Sequence, residues 1–133
     1  MRGRAANPIR TGQWIKKTLL EVGESSVRDL HFTLRQEIKQ LNEDRRDKGE
    51  CAYRAPTYEN FGKYFRNCRA LGLVVLVSEE PAGGDLLSIK KVDGEAIVVP
   101  STIRTFALTD KGRAEPIEGM WADPIKYMDQ MKF

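Results

Sequence analysis

Lys63, Arg66 and Arg69 stand at helical spacing between Thr57 and Leu71, with Asn60 and Asn67 among them. Wound into a helix, Glu59, Gly62, Lys63, Arg66 and Ala70 share one side, flanked by Asn60, Asn67 and Arg69. Phe61, Tyr64, Phe65, Cys68 and Leu71 form the apolar side, with Tyr58 at its edge. Lysine and arginine on the polar side neutralise phosphate, and arginine also addresses a guanine edge. Asparagine carries donor and acceptor together, as adenine readout requires. Gly62 and Ala70 keep this side low, so the helix can sit deep in a groove. Thr57 and Tyr58, at the helix start, are placed to touch phosphate beside free backbone N–H groups. A solvated helix surface carries similar residues, so the neighbouring elements decide between the two readings.

Other chemistry finds little footing. The single histidine, His31, falls on an apolar stripe and reads as a packed, hydrogen-bonded core residue. No Gly-rich phosphate loop, nucleophile elbow or metal-ligand cluster is present, so neither an enzyme nor a cofactor nor a metal is expected. Glu43, Asp44 and Asp47 lie among arginines and read as helix-surface charge. Cys51 and Cys68 match no zinc spacing and form no disulfide framework, which points to a reduced, cytoplasmic protein. Cys51 falls in a loop and Cys68 on the apolar side of its helix. No apolar run approaches the ~20 residues of a membrane span, and no signal peptide is expected.

Around the candidate helix, the chain divides into short, well-punctuated elements. A first helix is expected over Thr11 to Val22, capped by Thr11 and stopped by Gly23, with Trp14, Ile15, Thr18, Leu19 and Val22 on its apolar side. Leu20 falls outside that stripe and calls for a second neighbour. The next helix begins at Ser25 or Ser26, with Asp29 placed as in a capping box. Its stripe runs Val27, Leu30, His31, Leu34, Ile38 and Leu41, and Phe32 projects from the opposite side. From Asn42 the pattern dissolves into charge, so solvated last turns are expected before Gly49. Pro56 and Thr57 then open the third helix, and Gly72 ends it.

Strands are expected at Leu73 to Val77, Leu86 to Val92 and Ile103 to Thr109. Ile97-Val98-Val99 is read as the return strand of a hairpin turning at Asp93-Gly94, ended by Pro100. Near the C-terminus, Asp123 caps a short helix with Pro124 at its first position, and Trp121, Ile125 and Met128 are expected to dock it.

Charge is uneven along the chain. Its net +3 and isoelectric point near 8.9 are mild, yet the first 17 residues hold Arg2, Arg4, Arg10, Lys16 and Lys17 and no acid. Such an arm fits a polyanion, and Arg2, Arg4 and Arg10 suit a minor groove. Lys90, Lys91 and Arg104, near strand ends, are within reach of backbone phosphate. Glu79, Glu80 and Asp85 make the first inter-strand connection acidic. Of two candidate ribbon tips, Glu79 to Asp85 and Val92 to Thr102, the second is therefore expected to face a nucleic acid.

Three helices followed by a small ribbon have the order of a winged helix, and two short motifs strengthen the comparison. Arg69-Ala70-Leu71-Gly72-Leu73-Val74 resembles the junction after the recognition helix of winged helix-turn-helix transcription regulators. Phe106-Ala107-Leu108-Thr109-Asp110-Lys111-Gly112-Arg113 resembles the Leu-Thr-x-x-Gly-Arg strand end of the MarR-like and PadR-like branches. The likeness spans roughly residues 11–113. The stretch after the third helix is longer here than a two-stranded wing requires, and the loop before that helix is longer than a tight turn. The resemblance implies that the helix over residues 57–71 enters the major groove of double-stranded DNA and that the ribbon is the wing.

The expectation is thus an α+β winged helix: a basic arm over residues 1–10, a three-helix and ribbon domain over 11–113, and a C-terminal extension with a short helix over 114–133. Its function would be DNA-binding transcription regulation as a homodimer, with Phe32 and the segment holding Trp121, Ile125 and Met128 as pairing surfaces. The alternative is a protein-interaction module of the same fold in a transcription, replication or viral assembly. Nothing outlines a pocket for a small-molecule effector.

Overall fold

The computed structural model describes residues 9–81, 87–100 and 102–130, an α+β arrangement of helices around a small antiparallel sheet. Helix α1 (Thr11–Val22) buries Trp14, Ile15 and Leu19. Thr11 is its first helical residue, not its cap: Arg10 holds the cap position without a side-chain bond, its carbonyl accepting from the Trp14 N–H. Val22, the last residue of the helix, is exposed, and so is Leu20, which lies off the buried side. The two-residue strand β1 (Glu24–Ser25) follows, too short for any periodicity to announce.

Helix α2 (Val27–Asp47) starts as its sequence requires, the Ser26 hydroxyl accepting from the Asp29 N–H at 3.1 Å. Leu30, His31, Leu34 and Ile38 are buried. The last turns are solvated at Asp44, Arg46 and Asp47, as expected, while Asn42 and Arg45 are held by the loop that follows. Asn42 exchanges two hydrogen bonds with the Tyr53 backbone. Arg45 donates to the Cys51 carbonyl, the Tyr53 hydroxyl and Glu50, and its guanidinium lies 4.1 Å over the Tyr53 ring. These partners come from outside the helix, so helical periodicity could not reveal them.

Helix α3 (Tyr58–Ala70) is capped by Thr57, whose hydroxyl accepts from the Asn60 N–H. Phe61, Phe65, Cys68 and Leu71 are buried. Burial pushes the Cys68 thiol up to about 12, so it stays protonated and unreactive at neutral pH.

Four strands follow: β2 (Val74–Pro81), β3 (Leu87–Val92), β4 (Glu95–Pro100) and β5 (Thr102–Leu108). The three-stranded sheet runs β1-β5-β2, and β3 pairs with β4 as a separate two-stranded sheet. Asp93 and Gly94 both have positive φ, 52° and 82°, the conformation a two-residue hairpin turn needs. Strand β2 is longer than the expected Leu73 to Val77, because Glu79, Glu80 and Pro81 pair with Arg104, Ile103 and Thr102. Of the two expected ribbon tips, the first begins within β2, at Glu79 to Pro81, and the second contains β4. Asp85 lies outside the described residues.

Beyond β5 the chain does not simply leave the sheet. Strand β5 ends at Leu108, and Thr109 caps a short helix α4 (Asp110–Ala114), its hydroxyl accepting from the Gly112 N–H at 2.9 Å. The same hydroxyl donates to the Gly72 carbonyl at 2.5 Å, and Lys111 Nζ donates to the Leu71 carbonyl at 2.7 Å. Leu-Thr-Asp-Lys-Gly-Arg is thus a strand end, a cap and a helical turn, not strand throughout. Gly112 packs directly on the Leu73 backbone, and the Trp121 indole N–H donates to the Gly112 carbonyl at 3.0 Å.

Helix α5 (Pro124–Gln130) begins as expected, Asp123 accepting from the Lys126 N–H at 3.1 Å, and it lies alongside α3. Trp121 is fully buried in the same core as Trp14, Phe61, Phe65 and Leu73, while Tyr127 and Met128 pack against that core. Trp121 is therefore not a pairing surface. Ile125 is exposed and does not dock the helix, because it lies on the side of α5 away from the core. Among the described residues no helix is long and apolar enough to cross a membrane.

A Cβ at Gly112 would collide with the Leu73 carbonyl, a backbone group that cannot swing aside. Gly112→Ala is expected to destabilise the protein by about 2–3 kcal/mol through overpacking, read as a lower urea midpoint. A midpoint equal to wild type would mean that α4 does not sit against Leu73.

Candidate nucleic-acid interface

The polar side of α3 is set by what holds the opposite side down. Phe61 meets Trp14 edge-on at 6.2 Å, and Phe65 meets Phe106 of β5 at 4.9 Å. At the start of the helix, His31 Nε2 lies 2.9 Å from the Pro56 carbonyl; because a carbonyl only accepts, that nitrogen donates. The same ring stands against Tyr58 and Phe61 at 5.4 and 5.5 Å. His31 is thus a structural residue that fixes the entry to α3. With this side anchored, Glu59, Lys63, Arg66 and Ala70 are left exposed.

The candidate residues fall into three groups. Tyr58, Arg66, Arg69 and Arg104 come together around a groove between the first turn of α2, helix α3 and strand β5. Lys63 stands on the outward crest of α3, exposed. Asn60 and Asn67 lie on the far flank, 180° and 160° around the helix from Arg69 at ~100° per residue. Asn60 is exposed and Asn67 half-buried. The Thr57 hydroxyl already accepts the Asn60 N–H, which leaves its own O–H as a donor.

Within the groove each arginine is held differently. The Arg66 guanidinium folds back along the helix, with Nη1 3.5 Å from where a Gly62 Cβ would stand. Arg69 lies with its guanidinium carbon 5.2 Å over the Phe106 ring, a cation–π contact that ties α3 to the ribbon. Arg104 pairs with Glu79 at 3.2 Å. Strand pairing thus sets Glu79, from the connection read as acidic, directly opposite Arg104.

Arg28 is a groove residue that sequence reasoning passed over. It sits exposed in the first turn of α2, off the apolar stripe, where its only signal was a position two residues beyond the Ser26 cap. Asp29 and Glu59 also line the groove, so its charge is mixed with cations in excess. Arg10 is exposed at the start of α1, whereas Lys16 is committed elsewhere, donating to the carbonyls of Arg113 and Glu115 at 3.2 and 2.6 Å. Arg2 and Arg4 lie outside the described residues, as do the side chains of Lys90 and Lys91 on β3. Comparison with protein-family models, with curated proteins and with solved structures finds no match for this chain.

Gly62 tests whether the outward side of α3 is open. A Cβ there would make only an ordinary contact with Arg66. Replacing an interior helical glycine by alanine removes a propensity penalty of about 1 kcal/mol. Gly62→Ala is therefore expected to raise the urea midpoint by an amount corresponding to about 0.5–1 kcal/mol. A fall in stability would mean that something packs on this side.

Proposed function

We propose that this protein is a winged-helix DNA-binding protein, a transcription regulator that reads double-stranded DNA with α3 and grips the backbone with the ribbon stem. The chain order supports the reading. A helix, a short strand, two more helices and a ribbon, with sheet order β1-β5-β2, are in the order that a winged helix calls for, with the β3–β4 hairpin read as an insertion in the ribbon. The observation that carries it is the exposed side of α3 bearing Lys63 and Arg66, beside a groove that adds Arg28, Arg69 and Arg104.

An α-helix with its side chains is about 10–12 Å across, close to the ~12 Å width of the major groove. Ala70 and Gly62 on that side let it approach closely. Phosphate neutralisation by the arginines supplies sequence-independent affinity, and α3 supplies preference among base sequences. Phe32, 61% exposed on α2, offers a ring for a second copy and makes a homodimer part of the proposal.

One set of observations favours the second reading, an interaction module of the same fold. Asp29 and Glu59 line the groove and Glu79 neutralises Arg104, which reduces its pull on phosphate.

The test is a fluorescence anisotropy titration of duplex DNA with wild type and Lys63→Gln/Arg66→Gln. The double variant is expected to keep its helical circular dichroism and lose at least about tenfold in affinity, with the salt slope shallower by roughly two. Two chains per duplex are expected at saturation. A folded double variant that binds as wild type refutes the placement on α3. Absence of wild-type binding even at low salt would favour the interaction-module reading.

A further inference from the structure

Arg104 differs from the other groove arginines in having a carboxylate within ion-pair distance. Arg28, Arg66 and Arg69 have no such partner among the described residues, although Asp29 and Glu59 stand at the groove's edge. The pairing follows from an irregularity in the ribbon. Val74 and Leu76 pair with Leu108 and Phe106, and side chains alternate from there along β2. A regular ladder would set Ser78 opposite Arg104 and carry Glu79 to the other side.

The register shifts by one residue between Leu76 and Ser78, so Ser78 meets Thr105 and Glu79 meets Arg104. Arg104 and Phe106, two residues apart on β5, face the same side, and both line the groove beside α3. The bulge therefore turns an acid toward the groove, directly beside one of its cations. The pair is exposed, with side chains 45% and 59% accessible for Glu79 and Arg104, and exposed pairs add little to fold stability.

We infer that Glu79 is an affinity-limiting residue: it occupies Arg104 and repels the phosphate that Arg104 would otherwise contact. This rests on the duplex-binding reading. A carboxylate in the path of the backbone weakens binding to every duplex alike, so the base contacts of α3 carry a larger share of the total. Because this penalty is common to all sequences, it lowers affinity without changing the ratio between a preferred site and random sequence.

The experiment measures a short mixed-sequence duplex against wild type, Glu79→Gln, Arg104→Gln and the double variant, across salt concentrations. Glu79→Gln is expected to bind roughly threefold to tenfold more tightly at low salt, with a salt slope steeper by about one. Arg104→Gln alone leaves the Glu79 carboxylate unneutralised and is expected to bind more weakly than wild type. Added to Glu79→Gln, it should cancel the gain and return the affinity to near that of wild type, because the local charge is again neutral. Unchanged melting temperatures would show that the exposed pair acts on binding and not on folding.

Equal or weaker binding by Glu79→Gln overturns the inference, and weaker binding would recast Glu79 as a support for Arg104. If wild type binds and only the Lys63 and Arg66 changes abolish binding, the inference alone falls. If neither wild type nor Glu79→Gln binds any duplex, the underlying reading falls with it.

Discussion

Thr109 satisfies two backbone groups with one hydroxyl, donating to the Gly72 carbonyl and accepting from the Gly112 N–H. Around it, the Thr109 N–H donates to the Leu73 carbonyl, Lys111 covers the Leu71 carbonyl, and Gly112 lets α4 lie directly on Leu73. Trp121 closes the knot from the C-terminal side by binding the Gly112 carbonyl from within the core. These contacts join the end of α3, the start of β2 and the end of β5. They fix the angle at which helix and ribbon diverge, and the groove between them exists because of that angle. Each bond is worth about 1 kcal/mol net; their collective value is geometric, since α3 cannot pivot without breaking several at once.

The electrostatics of the groove depend on that geometry. Arg69 spans the gap by lying on Phe106, Arg66 lies back over Gly62, Arg28 enters from the first turn of α2, and Arg104 stands on β5 with Glu79. Four guanidinium groups from three elements thus converge on one concavity, tempered by Asp29, Glu59 and Glu79. In the proposed function this mixture sets a moderate, salt-sensitive hold on the DNA backbone, and Lys63 on the crest of α3 adds a cation beside the bases. The segment after β5 belongs to the same construction: Trp121, Tyr127 and Met128 join the core beneath α3.

What the chain made legible in advance was local. Ser26, Thr57 and Asp123 cap helices because a short side chain can reach an N–H two or three residues on, a relation visible in any window of four residues. Asp93-Gly94 marks a hairpin for the same kind of reason. The apolar side of α3 follows from period alone. What stayed hidden was long-range. Arg28 shares a groove with Arg66 and Arg69 only because the first turn of α2 lies beside α3. Glu79 meets Arg104, 25 positions away, through a bulge that no alternation pattern announces. Arg45 is held by a loop, and the Thr109 hydroxyl is tied to the Gly72 carbonyl, 37 positions earlier. The Leu-Thr-x-x-Gly-Arg motif was visible as a pattern, while its reason, a close approach of α4 to Leu73, required the fold.

The central claim is that the outward side of α3 and its groove meet duplex DNA. Following the backbone amides by two-dimensional NMR during titration with a duplex tests it most directly, because every face of the protein reports at once. The account predicts shifts concentrated in α3, around Arg28 and along Thr102 to Phe106, with the outer side of α2 around Phe32 responding only through pairing of copies. Shifts confined to that outer side, or none at any DNA concentration, would contradict it.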